Sequence, residues 1–237
     1  MTDFKFDVLV AGLPVPEYHK DGRVLIECNL FTPVSYKQRL RELVYGEMEE
    51  QEWPVTPYEV RVETSSECPH SWFRLCVDGV EVDGNVCGEG GSLLFRWIRG
   101  SDGTRELLFA LPRFARDEDD RAEGERSTKA GNIEVVQHET DYVGMEWHDE
   151  DVSLSLEQFN KKDAAGITKG KYTMATSKEG RIVKHFKPGN SEVWSMGREL
   201  GRQAKEYHMT HTLQEMGIRL KQVDWSKAPN AAIKVDS

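Results

Sequence analysis

Residues 72–84 read Trp72-Phe73-Arg74-Leu75-Cys76-Val77-Asp78-Gly79-Val80-Glu81-Val82-Asp83-Gly84. Phe73, Leu75 and Val77 alternate with Trp72, Arg74 and Cys76, a period of two that places successive side chains on opposite faces of a strand. Asp78-Gly79 interrupts the alternation and Val80-Glu81-Val82 resumes it. Asp-Gly favours the positive-φ turns that close tight hairpins, so both Asp78-Gly79 and Asp83-Gly84 are expected as turns.

The same period runs outward in both directions. Tyr58, Val60 and Val62 alternate with Glu59, Arg61 and Glu63, and Phe4, Phe6, Val8 and Val10 share one face of residues 4–10. Val24, Ile26, Cys28 and Leu30 do the same after the breakers Gly12, Pro14 and Pro16. On the C-terminal side, residues 93–99 and 105–111 form two strands around Gly100-Ser101-Asp102-Gly103, and 131–138 forms another. Many short strands without strand–helix alternation exclude a parallel α/β sheet. The expected fold is mainly β: an antiparallel β-sandwich, jelly-roll-like, over residues 1–150.

Other segments break the pattern. Tyr36, Leu40, Leu43 and Val44 recur at helical spacing behind the candidate N-cap Ser35, predicting a short helix that ends near Gly46. Residues 116–130 are charged and apolar-poor, a solvated loop. Residues 151–237 read as a basic extension with a hairpin and a helix. The hairpin is expected over 171–176 and 181–186, turning at Ser177-Lys178-Glu179-Gly180. The helix is expected from the N-cap Ser191 to Met216, stopped by Gly217, with Val193, Met196, Leu200, Ala204, Tyr207 and Leu213 on one face.

Composition narrows the class. Six Trp, nine Phe and seven Tyr supply bulky apolar area for a core although charged residues reach 30%. The net charge of -10 is uneven. Residues 1–159 hold 16 Lys+Arg against 33 Asp+Glu, and residues 160–237 hold 15 against 8. An acidic body argues against coating of nucleic acid by phosphate neutralisation. No apolar run is long enough to span a bilayer as a helix, and the first residues lack the basic-then-apolar order of a signal peptide. An intracellular location, cytoplasmic or nuclear, is therefore expected, with Cys28, Cys68, Cys76 and Cys87 reduced.

Motifs for particular chemistries are absent or incomplete. No Gly-Lys-Ser/Thr loop, Gly-x-Ser-x-Gly elbow or His-Glu-x-x-His helix occurs. Cys68, His70, Cys76 and Cys87 lack the paired Cys-x-x-Cys spacing of structural zinc. Asp117, Glu118, Asp119 and Asp120 do not match a calcium loop. His208 and His211, with Glu215, form a weak metal candidate on the expected helix. Trp72, Phe73, Phe95 and Trp97 offer a stacking platform for single-stranded nucleic acid, but core filling accounts for them better. No cofactor is expected.

Four short patterns in a fixed order carry a family resemblance. They are Leu13-Pro14-Val15-Pro16-Glu17-Tyr18 after the first strand, then residues 77–84, then Phe109 to Asp120 leading into Gly131-Asn132-Ile133-Glu134-Val135, and finally Ala204-Lys205-Glu206-Tyr207-His208-Met209-Thr210-His211. Together they resemble an uncharacterised, mainly fungal family catalogued as a domain of unknown function. The resemblance covers residues 4–140 and 200–217, implies a compact β-sandwich and brings no established activity. The segment 35–56 is longer than the link usual at that place.

The sequence thus points first to a protein-binding or structural, self-assembling module without catalysis, its basic tail gripping a protein partner or a second copy through Lys184, Lys187, Arg198, Arg202 and Lys205. An enzyme with His185, His208 or His211 as general base between sandwich and extension is the alternative. A third reading is nucleic-acid association through the tail alone, adding Lys178 and Arg181 to those five.

Overall fold

The computed structural model describes residues 3–28, 56–100, 103–110, 131–148, 176–184, 189–224 and 227–228. The helix expected over 35–46, the loop over 116–130, Lys187 and His185 lie outside the described residues.

The opening strand β1 (Phe4–Val10) is followed by β2 (Leu13–Pro14), β3 (Glu17–Lys20) and β4 (Arg23–Glu27). Next come β5 (Thr56–Pro57), β6 (Glu59–Thr64), β7 (Ser71–Val77), β8 (Val80–Cys87), β9 (Ser92–Phe95), β10 (Trp97–Gly100) and β11 (Gly103–Ala110). Two long strands, β12 (Asn132–His148) and β14 (Gly189–His208), flank β13 (Thr176–Lys184) in the chain, and α1 (Thr210–Glu215) follows. The protein is mainly β, with one short helix near the C-terminus among the described residues.

The strands form three sheets. One has the order β2-β1-β6-β9, a second β10-β11-β13 with β5 on β11, and the largest β3-β4-β14-β12-β7-β8. The two smaller sheets are stitched together at Tyr58, whose N–H donates to Leu107 O at 3.0 Å and whose ring stacks on Phe109 with centroids 4.0 Å apart. All three contribute to one interior, making a two-layered sandwich. Phe4, Phe6, Val8, Val60, Val62 and Phe95 from the first sheet and Ile98, Leu107 and Phe109 from the second meet Ile26, Phe73, Leu75, Val77, Ile133 and Val135 from the third. Each fully buried large apolar side chain contributes roughly 1.5–3 kcal/mol over its exposed state. Phe73 and Phe95 fill this core, as the sequence suggested, and Trp97 is partly exposed.

Three sequence expectations are corrected. The stretch expected as a helix over 191–216 is mostly strand: β14 occupies 189–208, and only Thr210–Glu215 is helical. β14 is seated between β4, which it pairs in parallel at Glu206, Tyr207 and His208, and β12, which it pairs antiparallel along its length. This part of the expected extension is therefore a central member of the sheet. The turn expected at Ser177-Lys178-Glu179-Gly180 lies inside β13, where Ser177, Lys178 and Glu179 pair with Phe109, Leu108 and Leu107, and Gly180 sits at a register shift. Asp83-Gly84, expected as a turn, continues β8. Gly84 is required there because a Cβ would stand 2.5 Å from the Trp72 indole laid over it.

A buried polar tie holds the sheet's centre. Asp78, at φ 53°, closes the β7–β8 hairpin and is almost fully buried. Its carboxylate accepts from Gly131 N–H at 2.7 Å, from Asn132 N–H at 3.3 Å and from the Tyr207 hydroxyl at 2.6 Å. Burial and the neighbouring Asp78 charge push the Tyr207 phenol well above its ordinary range, so it remains the donor. One carboxylate thus joins a hairpin turn, the start of β12 and the end of β14.

α1 covers the outer side of the β3–β4 edge. Leu213 packs with Tyr18 and Leu25, and Met216, Ile218 and Leu220 close over them. Lys221 N–H donates to the Tyr18 hydroxyl at 3.0 Å. No helix among the described residues is long and apolar enough to cross a membrane.

Candidate functional site

The strongest candidate surface is the far part of the β12–β14 pair. β12 pairs with β7 only as far as Glu139, and β14 pairs with β4 only at its last three residues. Beyond that, residues 140–148 and 189–196 pair with each other and, among the described residues, with no further strand. Register shifts fall between Gln137 and Thr140 at the ribbon's root, and an extra residue on one strand increases local twist. A second shift falls between Tyr142 and Gly144, where Val143 has no partner and Gly144 adopts φ 156°, a conformation glycine accepts at little cost.

Apolar side chains on this ribbon face solvent. Tyr142 is 53% exposed, Val143 64%, Met145 59% and Met196 51%. Tyr142 meets Trp194 edge-on with ring centroids 5.2 Å apart, and the His70 ring stacks on Trp194 at 5.8 Å, which ties the ribbon's root to the body. Trp194 Nε1 donates to Glu192 at 3.2 Å. At the root, His138 is buried. Its Nδ1 lies 3.1 Å from Gly197 O, and Nε2 has no hydrogen-bond partner among the described residues. Residues 139–148 and 189–199 carry Glu139, Asp141, Glu146, Glu192 and Glu199 against the single cation Arg198. That arginine is already paired to Glu139 at 2.6 Å.

The cations picked out from sequence do not share one face. Arg198 lies on the ribbon. Arg202 bridges Glu134 at 2.8 Å and Glu199 at 2.7 Å. Lys205 points into the sandwich, where it is 5% exposed, donates to Phe6 O and to Glu17, and sits 4.3 Å from the Phe6 ring centroid. Lys184 is the last residue of β13, opposite Thr104. Alternation reverses the direction of neighbouring side chains on a strand, so spacing suited to one helix face is split between two sheet faces.

His208 and His211 fall on two elements, the end of β14 and the start of α1. His208 Nε2 lies 3.3 Å from Glu206, and burial lowers its pKa below the usual value. No group of three or more His, Cys, Asp or Glu able to hold a metal occurs among the described residues. The four cysteines are buried and form no disulfide. Burial pushes the Cys28 and Cys68 thiols up, so both stay un-ionised at neutral pH.

Sequence reasoning missed the ribbon. Its signal was the pairing of Tyr142, Val143 and Met145 with Val193, Trp194 and Met196 across a long separation, which periodicity within one segment does not reveal. Comparison with protein-family models, curated proteins and solved structures finds no match.

Proposed function

We propose that the chain is a non-catalytic protein-binding module whose contact surface is the β12–β14 ribbon. The observation that carries this reading is the set of four large apolar side chains, each more than half exposed, on a pair of strands that runs past the described strands flanking it. Isolated two-stranded ribbons are marginal in water, and contiguous exposed apolar patches mark interaction sites. The carboxylate excess around them favours a partner with an apolar strip edged by Lys and Arg. The like charge of two ribbons disfavours self-pairing here. The basic residues proposed from sequence are paired within the chain at Arg198, Arg202 and Lys205, which lends less support to a nucleic-acid reading.

A photo-crosslinking residue at Val143 should capture a specific protein with a basic, apolar segment. Binding of the purified partner should weaken with added salt and vanish in Tyr142→Ser/Met196→Ser while the melting temperature is retained. Unchanged affinity in that double variant would discard the proposal. Concentration-dependent sedimentation lost in the same variant would replace the foreign partner with a second copy.

A further inference from the structure

The largest sheet carries two strand pairs with a bulky ring at the crossing, and one of them is covered. On β3–β4, Tyr18 and Leu25 are cross-strand partners, and α1 packs Leu213 against both. Tyr18 is thereby reduced to 7% exposure and Leu25 to none. Lys221 follows, its ammonium 5.8 Å from the Tyr18 ring centroid. On the ribbon, Tyr142 and Trp194 are cross-strand partners in the same way, yet Tyr142 stands more than half in water.

The ribbon's apolar groups fall in line. Partners across an antiparallel pair share a face, and so do residues two apart on one strand. Glu192, Trp194 and Met196 therefore share a face, in agreement with the indole N–H that reaches Glu192. Their partners Met145, Tyr142 and Thr140 join them. Met145 is three residues from Tyr142 and would face the other way in a regular strand. The register shift between Tyr142 and Gly144 brings it back to the same side. The result is one stripe: Met196, then Tyr142 with Trp194, then Met145. Its steps are two strand residues, about 6.7 Å each.

Four residues of an α-helix rise about 6.0 Å, so side chains at i, i+4 and i+8 meet the three levels of the stripe. A helix about 10–12 Å across also spans both strands, which lie about 4.8 Å apart. An added strand would pair along an edge and leave this face bare. Methionines at two of the three levels adapt to the shape of what covers them. Glu192, exposed beside Met145, puts a negative charge at that end.

We propose that this face docks an amphipathic helix of a partner protein, with apolar side chains at i, i+4 and i+8 and Lys or Arg beside the residue that meets Met145. The inference rests on the reading of the ribbon as the contact surface and adds the partner's conformation and spacing. The helix supplies in trans what Leu213 and Lys221 supply to β3–β4 within the chain.

The test uses the full chain, isotopically labelled, titrated with acetyl-Leu-Lys-Lys-Leu-Leu-Lys-Leu-Leu-Lys-Lys-Leu-amide and followed by amide chemical shifts. Saturable shifts are expected at residues 140–145 and 192–196. The same peptide with its central Lys-Leu as D-residues keeps composition and charge but loses the helix, and should bind about tenfold or more weakly. Met145→Ser should weaken the all-L peptide about tenfold, and Glu192→Lys severalfold, whereas Leu94→Ser, an exposed apolar residue on β9, should leave it unchanged. Equal affinity for the two peptides with shifts at the ribbon would overturn the helix and leave the ribbon as the contact surface. Shifts elsewhere, none at all, or indifference to Met145→Ser would also overturn it, and crosslinking from Val143 then decides separately whether the ribbon binds a partner.

Discussion

β12 and β14 each live in two environments. Over residues 132–138 β12 is flanked by β7 and at residues 206–208 β14 is flanked by β4, and their inward side chains Ile133, Val135 and Tyr207 are fully buried. Over residues 140–148 and 189–196 the same two strands have only each other among the described residues, and apolar side chains face water. The backbone pairing is common to both halves, so pairing alone does not set stability. The difference teaches that the near half serves the core and the far half is available for contact.

The largest expected break of this contrast is Asp78→Ala. Three donors lose their acceptor inside the near half, a cost of about 3–4 kcal/mol or more, read as a fall in the denaturant midpoint. Ile133→Ala should cost about 3 kcal/mol through the cavity it leaves, whereas Met145→Ala on the far half should stay within about 0.5 kcal/mol. Equal losses at the two positions, measured by chemical denaturation, would erase the distinction between core and ribbon. The smallest effect is a pH dependence at the foot of β14. Burial holds the His208 pKa below its ordinary 6.5, so the unfolded chain takes up a proton that the folded chain refuses. That group's stability contribution is present above pH 6.5 and declines as pH falls below it. His208→Gln should flatten the stability curve on the acid side of pH 6.5, and an unaltered slope there would remove the assignment.

Much of the sandwich was legible because its strands alternate apolar and polar residues cleanly. β1, β4, β6 and β7 bury the side chains that alternation singled out, Phe4 and Phe6, Ile26, Val60 and Val62, Phe73 and Leu75, and the stretch read as a strand at the start of β12 buries Ile133 and Val135. β14 was illegible for an equally physical reason. Its inward positions include Gln203 and Lys205, polar groups matched to carbonyls of β1, so the apolar signal drops out where the strand enters the core. Register shifts near Glu199 and Met196 further spoil the period, and Glu, Leu, Arg, Gln, Ala and Lys all favour helices in isolation. Tertiary pairing with β12 and β4 overrides that preference. The candidate surface was illegible because its residues meet only across strands far apart in the chain, as Tyr142 meets Trp194, and Arg202 and Lys205 looked like neighbours on a helix although a sheet sends them to opposite faces.

The place of β14 within its sheet also governs how the molecule can be made. The strand between β4 and β12 leaves the ribosome after both of them, so each of these partners waits for it. A nascent chain halted before residue 201 holds β4 without its parallel neighbour and β12 with a bare flank, and Asp78 without the phenol that completes its ligation. Such an intermediate is open to mispairing with other nascent chains. Its lifetime is set by translation speed across the long stretch separating the two central strands, which makes codon usage between residues 148 and 189 a lever on the yield of native protein.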